Sequence, residues 1–248
     1  MNETRIMMGM PITVEIVDEF VSERAIAAVF DYFQYVDETF STYKEASEIM
    51  RINRRELALA DASADVRAIF AAAEQTRQET YGFFDIRHND KIDPSGIVKG
   101  WAIYHAADIL RRMGYRNFYV DAGGDIEAVG RNDQGQDWRV GIRNPFNMDE
   151  IVKVLAVSDC GVATSGTYIR GQHIYNPVTG AESIDEIASL TVVAANVYEA
   201  DRFATAAFAM GRDGIMFIEH LEGFEGYLID KNGMATLTSG FERYVCHD

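Results

Sequence analysis

The chain has 248 residues, 48% hydrophobic and 25% charged, a composition with ample apolar material for a core and little room for disorder. A formal charge of −16 leaves no basic stripe for nucleic acid and would repel an anionic lipid surface, and two cysteines, Cys160 and Cys246, are too few for a disulfide framework or a thiolate metal site. The opening MNETRIMMGMPITVEIV lacks the pattern of a signal peptide and no run reaches the ~18 apolar residues of a membrane span, so a cytoplasmic protein without nucleic-acid partner or membrane insertion is expected.

In chain order, MPITVEIV alternates as a strand does. SERAIAAVFDYFQYVDETF places Ile26, Val29, Phe33 and Val36 at helical spacing, with Ser22 and Glu23 as start residues. Further helices are expected at about 63–81, 96–113 and 197–211. Strand-like runs lie between the last two: NFYVDA, DIEAVG, WRVGIRN, IVKVLAVS, GQHIYN and ASLTVVAAN, separated by turn residues that suit hairpins. GFEGYLIDKNGMATLTSGF reads as a closing hairpin turning at Lys231, Asn232 and Gly233. Runs of strands segregated from a few long helices predict an α+β fold. Its sheet would be largely antiparallel, with several long helices packed on it, in a single compact unit over 1–248.

Four stretches could carry chemistry. In VYEADRFATAAFAMG, Asp201 and Thr205 lie one helical turn apart, so both oxygens can face one point. The local alternative is an aspartate favoured near a helix start and a threonine bonded back to its own helix. In DPSGIVKGWAIYHAADIL, the Gly96–x–x–x–Gly100 spacing permits close backbone approach and the helix start offers N–H groups to a phosphate. Lys99 sits there against the helix dipole, either for a purpose or simply solvated, and Ser95 is a candidate N-cap. VDAGGDIEAVG holds Gly123 and Gly124 between Asp121 and Asp125, which hairpin geometry alone explains. GVATSGTYIRGQHIYNPVTG gathers Thr164, Ser165 and Thr167 near His173, whose ring titrates near neutrality and suits either a general base or a structural hydrogen bond.

The blocks MGMPITVEI, FSTYKEASEIMRINR, GIVKGWAI, VDAGGDIEAVG, WRVGIRNP, VATSGTYIR, HIYNPVTG and EADRFATAAFAMG occur in an order that resembles the FAD:protein FMN transferases, the ApbE family. The resemblance implies a Mg²⁺-dependent enzyme that cleaves the FAD pyrophosphate, attaches FMN to a Ser or Thr of an acceptor flavoprotein and releases AMP. It implies Asp201, Thr205 and the Val98 carbonyl as metal ligands, Lys99 and the helix start at Gly96 as phosphate stabilisers, and His173 as the proton acceptor. It further implies flavin or nucleotide contacts from Thr42, Tyr43, Ser47, Glu48, Gly123, Gly124, Asp125, Thr164, Ser165 and Gly166. Compared with the family pattern, GFFDIRHNDKIDPSGIVKGWAI and TYIRGQ are short and Asn176 stands where an aspartate is usual; a form without the family's lipoprotein leader is expected. Two rival readings use the same residues: an FAD pyrophosphatase yielding FMN and AMP, and a non-catalytic FAD-binding protein.

Overall fold

The structure, a computed structural model, describes residues 1–166, 175–181 and 183–247. The first half runs β1 (Asn2–Met7), β2 (Met10–Ile16), α1 (Glu23–Phe40), α2 (Glu48–Asn53), α3 (Ala64–Glu79), β3 (Arg87–His88), β4 (Lys91–Ile92) and α4 (Ser95–Arg112). The second half runs β5 (Phe118–Ala122), β6 (Asp125–Val129), β7 (Trp138–Asn144), β8 (Asn147–Val157), β9 (Cys160–Gly166), β10 (Ile187–Ala194), α5 (Val197–Ala209), α6 (Gly214–Glu219), β11 (Glu225–Asp230) and β12 (Ala235–Leu237).

Eight strands form one antiparallel sheet in the order β1-β2-β5-β6-β9-β10-β11-β12. Side chains alternate across it, so neighbouring residues serve opposite faces. Ala163, Leu190, Val192 and Leu228 pack under α5, while Val162, Val193, Tyr227 and Ile229 meet the β7–β8 ribbon. Strand β10 is covered on both faces, which is why its sequence IASLTVVA is apolar or small throughout rather than alternating. Helices α1, α3 and α4 close the other end of the helical face over Ile12, Val14 and Val120. Ser22, Ser63 and Asn196 cap α1, α3 and α5 by accepting the N–H groups of Ala25, Val66 and Glu199.

The α+β fold with its antiparallel sheet and four long helices is therefore the one expected from the sequence. The sequence reading missed β1, α2, α6 and the β3–β4 hairpin. Residues 160–166, not among the expected strand-like runs, form the central strand β9. The reason is visible at Gly161: an added Cβ would lie 1.9 Å from the Val197 backbone nitrogen. The start of α5 presses directly onto the strand, so small residues replace the branched ones that usually announce a strand. Of the run GQHIYN, residues 171–174 lie outside the described residues; Asn176 forms an isolated bridge with Ala181.

Candidate active site

Helix α5 is buried on nearly all sides, yet it carries Asp201 and Thr205 toward α4. The Asp201 carboxylate accepts the Gly100 N–H through Oδ2 at 2.7 Å, and the Thr205 hydroxyl donates to the Gly96 carbonyl at 3.3 Å. Both side chains thus reach across to α4. The glycines make the approach possible. A Cβ at Gly100 would sit 2.6 Å from the Asp201 Cβ, and one at Gly96 would sit 3.0 Å from the Thr205 methyl.

Lys99 projects into the same corner. Its ammonium lies 2.5 Å from Asp125 Oδ2 and 3.5 Å from Asp201 Oδ1. Asp125 is 1% exposed, and its Oδ1 accepts the Thr164 N–H at 3.0 Å. Nearby, burial pushes the Asp121 carboxyl up to about 6, with the negative charge of Asp125 adding to the effect and a hydrogen bond from the Gly124 N–H opposing it. Behind the seam, Glu127 accepts the Val197 N–H at 2.7 Å and pairs with Arg111, so a carboxylate holds the start of α5. Burial raises the Glu127 pKa despite these partners.

These groups form the inner wall of a cleft of about 460 Å³, whose lining includes Lys99, Gly96, Asp201, Thr205, Thr164, Ser165, Gly166 and Gly123. The outer wall is the segment 83–93 with Tyr175. There, Asn89 and Asp90 take φ of 49° and 58°, so a two-residue turn closes the β3–β4 hairpin. His88 stacks on Tyr175 with ring centroids 3.8 Å apart, and the Tyr175 hydroxyl donates to the carbonyls of Asp85 and Arg87 at 3.1 and 2.8 Å. Asn53 locks the hairpin from behind: its side chain exchanges two hydrogen bonds with the Ile92 backbone, at 2.8 and 2.9 Å.

Several of the expected contact residues stand away from the cleft lining. Thr42, Tyr43, Ser47 and Glu48 do not line the cleft. Tyr43 is 93% exposed on the outside, Ser47 caps α2 through the Met50 N–H, and the Glu48 carboxylate accepts the Ser63 N–H. Their block reaches the cleft only at one remove, through Asn53. Gly124 is an exposed turn residue, with φ of 96°, and Asp125 lies behind the wall rather than on it. Val98 is 3% exposed and also behind the wall. The start of α4 is less open than expected: Ser95 N–H donates to Asp93, Ile97 and Val98 N–H donate to the Pro94 carbonyl, and Pro94 rather than Ser95 holds the cap position. His173 and Thr167 lie outside the described residues. The residues that sequence reasoning missed are His88, Tyr175 and Asn53. The usable signal was Asn89–Asp90 between FDIR and KID, a turn pair inside a stretch read only as short.

Fold and wall together define a class: an antiparallel α+β protein in which two glycine-packed helices present a carboxylate, a hydroxyl and an ammonium to one cleft. The chain belongs to the ApbE family, whose profile matches residues 8–90 and 87–228. It is 30% identical to the FAD:protein FMN transferase of Vibrio cholerae over 163 residues, 62% of this chain and 47% of that protein. With the Haemophilus influenzae protein of the same name it shares 31% over 160 residues, 60% of this chain and 46% of the other. The chain thus spans about half the length of the curated relatives it matches. In structure it is similar to the flavin transferase ApbE of Vibrio cholerae, with a TM-score of 0.85 at 21% identity and 98% of both chains covered. The ApbE protein of Thermotoga maritima superposes at 0.88 with 20% identity, covering 100% of this chain and 99% of its own. These likenesses establish the fold, and the family is the one that the ordered motifs resemble.

Proposed function

We propose that the chain is an FAD:protein FMN transferase that binds FAD in the cleft, cleaves its pyrophosphate and passes FMN to a Ser or Thr hydroxyl of an acceptor flavoprotein. The observation that carries this reading is the meeting of Asp201, Thr205 and Lys99 on one wall, in a chain whose family relatives bear that name.

Mg²⁺ takes hard oxygen ligands and usually only one or two carboxylates, with water and phosphate completing the octahedron. A carboxylate and a hydroxyl one helical turn apart, both on the cleft wall, fit that demand, and the Val98 carbonyl is the proposed third donor. Among the described residues no group of three His, Cys, Asp or Glu could hold a metal, so the other positions would fall to water and substrate phosphate. Bound there, Mg²⁺ would supply positive charge to the phosphates and open phosphorus to attack.

The chain's own residues do the rest. Lys99 binds a phosphate oxygen and offsets charge as it builds on the leaving side. His173 takes the proton of the acceptor hydroxyl as its oxygen bonds to the FMN phosphorus and the bond to the AMP phosphate breaks. The outer wall with Tyr175 and His88 borders the bound dinucleotide and limits water.

The test is to incubate the purified chain with FAD, with and without Mg²⁺ and an acceptor flavoprotein, and to follow AMP and FMN by chromatography. AMP released with FMN on the acceptor supports the proposal. AMP with only free FMN identifies a pyrophosphatase, and intact FAD in every tube identifies a binding protein.

A further inference from the structure

Lys99 stands between two carboxylates, Asp125 and Asp201. Asp125 is fixed: it is 1% exposed, one oxygen accepts the Thr164 N–H, and strand β6 is paired on both sides. Asp201 Oδ2 accepts the Gly100 N–H, and Oδ1 is the oxygen that faces the ammonium. Between them lies a long flexible stem whose ammonium is 2.5 Å from the fixed carboxylate and 3.5 Å from the other.

The placement has a consequence for any cation at Asp201. An ammonium and a divalent ion on the same carboxylate repel, and inside a half-buried wall that repulsion is weakly screened. Drawing the ammonium toward Asp125 relieves it. We propose that Lys99 is a tethered internal cation that competes with a divalent metal for Asp201, and that Asp125 sets the metal affinity by pulling the ammonium away. This rests on the reading of Asp201 and Thr205 as the metal-holding pair. Asp125 is then a positioning residue: it touches Lys99 and not the substrate.

The experiment is a Mn²⁺ titration of the full chain without FAD at low ionic strength, with free Mn²⁺ read by electron paramagnetic resonance. Wild type is expected to bind one ion and Asp201→Ala to lose it. Lys99→Met should tighten binding about tenfold and Asp125→Asn should weaken it about tenfold, the scale of one nearby charge. Because Lys99→Met strands the buried Asp125, the doubly substituted K99M/D125N chain, which removes both charges, is measured alongside. In the K99M background, D125N is expected to lose most of its effect. Far-ultraviolet circular dichroism verifies that each variant is folded. If wild type binds one ion through Asp201 but Lys99→Met fails to tighten binding, or D125N acts equally with and without Lys99, the competition is wrong and the metal reading stands. If no variant binds Mn²⁺, or Asp201→Ala binds as wild type does, the metal reading itself falls and the competition with it.

Discussion

The two walls of the cleft are built on opposite principles. The inner wall, the α4–α5 seam with Asp125 behind it, consists of polar groups held at fixed distances by backbone contact: Gly100 on Asp201, Gly96 on Thr205, Thr164 on Asp125. The outer wall is a small hairpin anchored below by the buried Phe84 and Ile86, tied from behind by Asn53 and faced by a His88–Tyr175 stack. The first wall has no room to adjust, because a helix pair at glycine distance cannot shift by even a methyl group without moving a carboxylate. The second has side chains that can repack. Under the proposed function, a rigid wall suits groups that would meet reacting phosphates, and an adaptable wall suits a surface that would admit and release a large flat substrate.

The comparison breaks most sharply at Asp201. Asp201→Ala is expected to lower AMP release from FAD by about 10³-fold, the scale of removing a key electrostatic group, while circular dichroism stays that of wild type. Retained activity would move the chemistry away from the inner wall. Gly100→Ala tests rigidity itself. With a new Cβ at 2.6 Å from Asp201 and 2.8 Å from the Val197 carbonyl, α4 and α5 must separate. We expect a loss of about 2–3 kcal/mol in denaturant unfolding, the upper range for overpacking, and a matching fall in activity.

Asp121 gives a pH signature beside the inner wall. Its folded pKa of about 6 lies above the ordinary aspartate value of 3.8, so the folded state holds a proton that the unfolded chain has given up. Its contribution is full below about 4 and is lost as pH rises toward 6. Asp121→Asn should therefore stabilise the fold at pH 7 by about 1–3 kcal/mol and flatten the stability profile between pH 4 and 6; a variant less stable at pH 7 would contradict the burial argument. The smallest effect belongs to the outer wall. Tyr175→Phe removes a hydroxyl bonded to two carbonyls and should cost about 1 kcal/mol in thermal unfolding. Its kinetic effect should fall on KM for FAD more than on kcat, whereas an equal fall in kcat would place Tyr175 with the reacting groups.

The local signals in the chain were sufficient for most of the architecture. Ser22, Ser63 and Asn196 cap helices whose apolar periodicity is evident, and Gly123–Gly124 make the hairpin their spacing demands. The same residues at i and i+4 that draw attention to Asp201 and Thr205 do stand together on the cleft wall. The FSTY segment stands off the cleft lining, because a motif's order along the chain says nothing of the direction its side chains take. Ser47 and Glu48 are consumed by helix starts, and only Asn53, a residue of no conspicuous pattern, reaches the cleft wall from that segment.

What the chain determined alone was everything set by neighbours a few residues away: caps, periodicity, turns and the Asp201–Thr205 spacing. What tertiary structure decided was the use of each polar group. Asp125 and Asp201 are two aspartates 76 positions apart, and nothing local distinguishes a buried anchor from a cleft-wall carboxylate. They become an anchor and a site only when β6 pairs with β9 and α5 settles against α4, because burial, the direction of a side chain and the nearest opposite charge are properties of the packed sheet and helices, not of the order of residues.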